Sequence, residues 1–169
     1  LSHYLNHDHS AIHVPEGELD FTQFDRLVLV ACGTAFYACN VAKYWFEKLA
    51  GIPVEIDVAS EFRYRTPPIG ARDAVILVSQ SGETADTLAA LRYVKGKAAR
   101  VIAVVNATES SIAREADLAL PIMAGVEVSV ASSKAFTCQL TVFAALSILA
   151  ARQRGQLDAE GERAQIEKL

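Results

Sequence analysis

Asp73-Ala-Val-Ile-Leu-Val78 runs directly into Ser79-Gln80-Ser81-Gly82-Glu83-Thr84, and the way this stretch divides decides the fold. The first part is a short unbroken apolar run, which reads as a strand covered on both faces, as the strands of a parallel sheet are. The second part is a polar turn, after which Glu83 to Lys95 has helical spacing with Leu88 and Leu91 inward. The same strand–turn–helix pattern recurs on either side. Upstream, Arg26-Leu-Val-Leu-Val-Ala31 reads as a strand broken by Cys32-Gly33-Thr34, and Ala35 to Ala50 as a helix closed by Gly51. Pro53-Val-Glu-Ile-Asp-Val58 is a further strand with an alternating, exposed face. Ser60 is the expected cap of a short helix through Tyr64, ahead of the Thr66-Pro67-Pro68 loop. Downstream come a strand at Arg100-Val-Ile-Ala-Val-Val105, a short helix from Ser110 to Glu115 and a strand from Leu118 to Ile122. A loop containing Gly125 then leads to Ser132 and a long apolar helix. Strict alternation with no internal repeat implies parallel pairing through right-handed crossovers. The expected fold is α/β: a three-layer αβα sandwich on a five-stranded parallel sheet of flavodoxin-like order 2-1-3-4-5.

The 169 residues suit one domain. With 51% hydrophobic and 21% charged residues and a net charge of -4, disorder is excluded, and no basic block offers a footprint for nucleic acid. A mean hydropathy of +0.21 is high for a soluble monomer and points to buried helices, a partner surface, or both. Cys32, Cys39 and Cys138 are odd in number and lack CxxC spacing, which argues against a disulfide framework or zinc site and for a reducing cytoplasm. Ala135 to Ala151 carries no formal charge, but it falls short of the ~20 residues of a spanning helix. It also contains Thr137, Gln139, Thr141 and Ser147, so it reads as a buried helix and not as a membrane segment. Residues 1–24, with a Pro15-Glu16-Gly17 turn, read as a partly helical lead-in, 25–153 as the domain and 154–169 as the start of a connection. The chain begins without methionine and stops within a helix-like pattern over 159–169, so both ends read as cuts.

In open α/β sheets ligands bind beyond the carboxyl ends of the strands, where strand order reverses. For the order 2-1-3-4-5 that point lies between the first and third strands, where Cys32-Gly33-Thr34 and the Ser79–Thr84 turn fall. Ser79, Ser81 and Thr84 supply hydroxyls, Gly82 allows close backbone approach, and the following helix start favours an anion such as phosphate. Without Lys or Arg in the turn, neutral donors suit a phosphate monoester better than a nucleoside triphosphate. The competing reading is a capped helix only, with Ser81 as N-cap and Thr84 at the third position. Thr34 is likewise either a cap or a ligand contact, and Lys134, opposing the dipole of the last helix, is either solvated or offset by an anion.

Other chemistries lack their residues. Gln80-Ser81-Gly82 has no G-x-S-x-G frame, and all four His lie within residues 3–13, far from Ser81. His3/His7 and His9/His13 have i,i+4 spacing, but no Cys or paired carboxylate completes a metal site, and a solvated terminal segment is the expectation. No G-x-G-x-x-G fingerprint is present. The expected complement is therefore no metal and no cofactor.

Several motifs together resemble a known family. Cys32-Gly33-Thr34, Tyr44-Trp45-Phe46-Glu47, Ala59-Ser60-Glu61-Phe62-Arg63-Tyr64-Arg65, the segment from Ser79 to Leu88, and Val130-Ala131-Ser132-Ser133-Lys134-Ala135-Phe136-Thr137 are similar to sugar isomerase (SIS) domains. Within these they resemble the first SIS domain in the isomerase half of the glutamine–fructose-6-phosphate aminotransferases, over about Asp25 to Ala150. The resemblance implies a phosphosugar ligand, fructose 6-phosphate or glucosamine 6-phosphate. It gives the phosphate to Ser79, Gln80, Ser81 and Thr84. Thr34 and Ser132 would contact hydroxyls or phosphate beside the backbone near Val130, and Gly33 and Lys134 complete the implied binding set. Ala35 stands where many members have Ser. The resemblance further implies a missing second SIS domain, a missing glutaminase domain and a homodimer. It places the Glu, Lys and His that move protons and open the ring outside this chain, which leaves Glu83 and Glu127 as weak local candidates for a base. A sensor module of a transcription regulator and a stand-alone isomerase are the alternatives.

Overall fold

Every residue of the strand Asp73–Ser79 (β3) is buried because it occupies the centre of a sheet whose two faces are both covered. The computed structural model describes residues 1–125 and 133–169. Among these, Arg26–Ala31 (β1), Val54–Val58 (β2), β3, Arg100–Val105 (β4) and Leu118–Pro121 (β5) form a five-stranded sheet. Its order is β2-β1-β3-β4-β5, and every pairing is parallel. The expected fold class and strand order are therefore the observed ones.

Successive side chains of a strand point to opposite faces, and the core divides accordingly. Leu27, Leu29, Ile76, Val78, Ile102 and Val104 face one layer, while Val28, Val30, Val75, Leu77, Val101 and Ala103 face the other. On the first face lie Gly33–Trp45 (α1), continued by a π-helical turn at Phe46–Ala50, together with Ser133–Gln153 (α5) and Ala159–Ile166 (α6). On the second lie Ala59–Phe62 (α2), Ala85–Val94 (α3) and Ser111–Glu115 (α4). α5 is long and apolar enough to cross a bilayer, yet 61% of its most apolar window is buried inside the fold. It serves as a core helix.

The lead-in leaves His7, His9 and His13 exposed, as expected, but its apolar residues are built into the structure. It forms two short 3-10 turns, Ser2–Tyr4 and Phe21–Gln23, and buries Tyr4, Ile12, Val14, Leu19 and Phe21. A chain of rings runs Phe24–Phe21–Phe46–Phe143 at centroid distances of 6.1, 5.8 and 6.4 Å, tying the lead-in to α1 and α5. At the end of α5, Gln153 donates to Leu19 O and accepts from Phe21 N, both at 2.8 Å. Arg154 donates to Phe21 O and Phe24 O at 3.1 Å each. The buried Glu162 carboxylate of α6 accepts from Ile12 N at 2.9 Å. Of the four His, His3 hydrogen-bonds Glu16, and among the described residues no His, Cys, Asp and Glu cluster could hold a metal.

Helix starts differ from expectation. Ser60 lies inside α2, whose N-cap is Val58, and Thr34 is the second residue of α1, whose N-cap is Cys32. Neither N-cap makes a side-chain cap bond, since valine has no polar side-chain atom and a thiol is a weak partner; the end of the preceding strand sets each helix start. Ser110 is the N-cap of α4 and accepts from Ala113 N at 3.4 Å.

The amino end of the sheet is held by charge. Asp73, 6% exposed, faces Arg26 Nη2 at 2.5 Å and accepts from Gly70 N at 2.7 Å, while Arg26 also reaches Glu55 at 2.7 Å. Burial pushes the Asp73 carboxyl up, but the Arg26 hydrogen bonds, the Gly70 N–H and the Arg26 charge outweigh it and leave it below the usual range. A carboxylate lowered in the folded state adds stability that is complete above its unfolded pKa of about 3.9 and is lost as pH falls through the folded value. Urea unfolding is therefore expected to show a plateau above pH ~5 and a decline below pH ~4. Asp73→Asn should be less stable at pH 7 and have a shallower acid decline; an unchanged acid slope would contradict this assignment.

Candidate functional site

β1 and β3 are neighbours, yet the helices that follow them leave toward opposite faces: α1 packs with one core and α3 with the other. A crevice opens at the carboxyl ends of the two strands, as strand-order reversal requires. Its volume is about 260 Å³. Cys32, Gly33, Thr34 and Ala35 line it from the β1–α1 junction, and Val78, Ser79, Gln80, Ser81, Thr84 and Thr87 from the β3–α3 junction. Gln139 closes it from α5.

The β3–α3 turn is tightly specified. Ser79 ends β3, and its hydroxyl accepts from Gly82 N at 3.0 Å and pairs with the Thr84 hydroxyl at 3.1 Å. Ser81 Oγ accepts from Glu83 N at 3.2 Å. Gly82 has φ +66°, a conformation that L side chains rarely adopt. A Cβ there would lie 1.9 Å from Ser110 Oγ. This contact seats the turn against the start of α4, where Gly82 O accepts from Ile112 N at 3.1 Å and a Glu83 carboxylate oxygen accepts from Ser111 N at 2.7 Å. The Ser111 backbone N–H and hydroxyl, with Arg114 nearby, hold the Glu83 carboxyl below the usual carboxylate range. Glu83 thus braces the loop and is a poor proton acceptor.

α3 starts later than expected. Its N-cap is Thr84 and not Ser81, because β3 extends through Ser79 and the intervening residues form the turn. Thr84 makes no side-chain cap bond, so the hydroxyl that would serve its own helix stands beside Ser79 instead. The first N–H groups of α3 add partial positive charge at the same place. Hydroxyls and helix-start amides converge there without a Lys or Arg among the described cleft-lining residues, an arrangement of neutral donors chemically suited to a small anion.

Six expected site residues, Gly33, Thr34, Ser79, Gln80, Ser81 and Thr84, line this one cleft. Lys134 is exposed as the second residue of α5 and does not line it. Val130, Ser132 and the candidate base Glu127 lie outside the described residues. Beyond residues of the two junctions themselves, two polar side chains from within helices, Thr87 and Gln139, also line the cleft and were not anticipated. Their signal in the sequence is a polar residue within the inward stripe of an amphipathic helix: Ala135, Gln139, Val142 and Leu146 in α5, and Thr87, Ala90, Leu91 and Val94 in α3.

The strand order, together with a hydroxyl-rich turn at its reversal point, defines a doubly wound α/β domain with a polar cleft at the carboxyl end of its sheet. The chain belongs to the SIS domain family, whose model matches residues 20–149. It is 50% identical over its full length to the glutamine–fructose-6-phosphate aminotransferase [isomerizing] of Brucella abortus biovar 1, and 52% identical to that of Rhizobium meliloti, spanning 28% of each. Among solved structures, the C-terminal domain of glucosamine-fructose-6-phosphate aminotransferase from Francisella tularensis superposes with a TM-score of 0.89 at 37% identity. That superposition covers 94% of this chain and 45% of the other.

The Gly82–Ser110 contact gives a direct test. Gly82→Ala forces both a disfavoured φ, costing about 1–3 kcal/mol, and a clash with the cap of α4. Chemical denaturation should show that loss or more, with amide shifts changing in both the turn and α4. A variant as stable as the parent would contradict the described packing.

Proposed function

We infer that this chain is a phosphosugar-binding domain, the first of two SIS domains in the isomerase half of a glutamine–fructose-6-phosphate aminotransferase. The observation that carries the reading is the cleft in which Ser79, Ser81, Thr84 and the start of α3 converge opposite Gly33 and Thr34. Ser79, Gln80, Ser81 and Thr84 take the phosphate of fructose 6-phosphate or glucosamine 6-phosphate. Gly33 and Thr34 face the sugar across the cleft, with Val130 and Ser132 assigned to the same set by resemblance, and Lys134, exposed outside the cleft lining, reaches the ligand only from the rim. Ala35 replaces a potential sugar-facing hydroxyl with a methyl group, a modest loss of affinity.

The domain binds and orients its ligand, and the proton transfers occur elsewhere. Among the described residues no carboxylate or imidazole lines the cleft, and the nearby Glu83 is held as a carboxylate by α4. Residues 25–153 are the binding domain, 1–24 its lead-in, and 154–169 the beginning of the connection to the second SIS domain, which with a glutaminase domain completes the parent enzyme. The parent acts as a cytoplasmic homodimer, which accounts for the apolar excess of this chain and for its free cysteines. The residues before Asp25 form 3-10 turns and strap the core, unlike the helix pair of a DNA-binding sensor.

Titration with fructose 6-phosphate at millimolar concentration is expected to shift the amides of residues 79–84. Ser79→Ala should weaken binding about tenfold or more, since it removes both a donor to the phosphate and the partner of Gly82 N. The chain alone should show no ketose–aldose turnover. Absence of shifts in 79–84, or measurable turnover, would overturn the reading.

A further inference from the structure

Thr87 and Gln139 lie on two different helices, line the same cleft and share an unusual state. Thr87 is fully buried and Gln139 is 2% exposed, yet Thr87 Oγ1 and Gln139 Oε1 have no hydrogen-bond partner among the described residues. Buried side-chain polar atoms are nearly always paired, and local partners are used elsewhere in this chain. Thr137 and Thr141 donate to the carbonyls four residues back, and Ser147 to the one three back. Thr87, inside α3, makes no such bond. Gln139 occupies a core-facing position between Ala135 and Val142, where Leu would bury apolar surface without stranding an amide.

Their positions in the cleft differ from that of the phosphate turn. Ser79, Ser81 and Thr84 converge at the start of α3, whereas Thr87 lies one turn further along the helix and Gln139 comes from the opposite layer. A terminal amide offers donor and acceptor capacity, and a hydroxyl offers both as well. An anion needs only donors. A carbon chain carrying hydroxyls needs donors and acceptors, and stranded acceptor capacity such as Gln139 Oε1 is satisfied by a hydroxyl hydrogen.

We propose that Thr87 and Gln139 form a hydroxyl-reading floor that selects the polyol portion of a phosphorylated sugar over bare phosphate, Gln139 accepting from a ligand hydroxyl and Thr87 exchanging a hydrogen bond with the same portion. This deepens the phosphosugar reading and rests on it. Gln139 and Thr87 are specificity residues, while the Ser79–Thr84 turn supplies the anion site. A site built to pair hydroxyls rejects ligands that lack them, because its buried polar groups are then left unpaired.

The experiment compares fructose 6-phosphate with inorganic phosphate by titration of the parent chain, Gln139→Leu, Thr87→Val and Thr87→Ser. Gln139→Leu and Thr87→Val are expected to lose about tenfold in affinity for fructose 6-phosphate while inorganic phosphate binding stays within about twofold. Thr87→Ser, which keeps the hydroxyl, should retain most of the affinity. Gln139→Leu should unfold at the same or a higher temperature than the parent, because it removes a stranded buried acceptor; a purely structural glutamine would give a lower one. Equal losses for both ligands, or no loss for fructose 6-phosphate, would overturn the proposal and leave the phosphosugar reading standing. A parent chain that binds neither ligand would instead overturn that reading and this inference with it.

Discussion

The close approach of Gly82 to Ser110 is the constraint on which the site depends. With no Cβ at residue 82, the β3–α3 turn drops onto the start of α4, where a side chain would come within 1.9 Å of the Ser110 hydroxyl. Two backbone hydrogens, from Ile112 and Ser111, then fix the turn through Gly82 O and the Glu83 carboxylate. With the loop held from below, Ser79 and Thr84 hold each other within the cleft, and α3 begins immediately after its N-cap Thr84. The groups that would receive a ligand are thus arranged before it arrives, and preorganisation of this kind lets neutral donors bind an anion without a cation beside them.

That turn is useful because of where the sheet puts it. Parallel pairing in the order β2-β1-β3-β4-β5 forces α1 and α3 to opposite faces, so the crevice between them follows from topology. The layers are in turn held by α5, whose Phe143 closes a chain of rings through Phe46 and Phe21 to the lead-in. Through Gln139, the same helix closes the cleft from the layer opposite α3. Core packing and the cleft wall therefore share one element, and a polar side chain in its buried stripe is where the two meet.

Much of this was legible in the residues. The β-branched runs at 26–31, 73–78 and 100–105 located the central strands, since parallel strands covered on both faces carry continuous apolar sequence. The Ser79–Thr84 turn stood out by composition alone. Helix starts were less legible. Ser60, Ser81 and Thr34 are good capping types, but the caps are Val58, Thr84 and Cys32, because the end of each strand and the path of each turn decide where a helix begins. The anchoring of the lead-in was illegible for a related reason. Its anchors, Tyr4, Ile12 and Phe21, are spaced to no period, and their partners, Pro121 of β5, Glu162 of α6 and Gln153 of α5, lie more than a hundred residues away in sequence. Thr87 and Gln139 looked like ordinary helix polar residues until the two helices were brought to one cleft.

In the proposed binding mode the β3–α3 turn takes a phosphate monoester and the cleft above it the attached sugar. A crystal structure of the chain grown with glucosamine 6-phosphate tests it most directly. Phosphate density is expected within hydrogen-bond distance of the Ser79, Ser81 and Thr84 hydroxyls and the first amides of α3, with the sugar between Thr34 and Gln139. Phosphate density seated elsewhere, such as the separate cleft lined by Trp45, Leu49 and Ile148, with the turn empty, would contradict it.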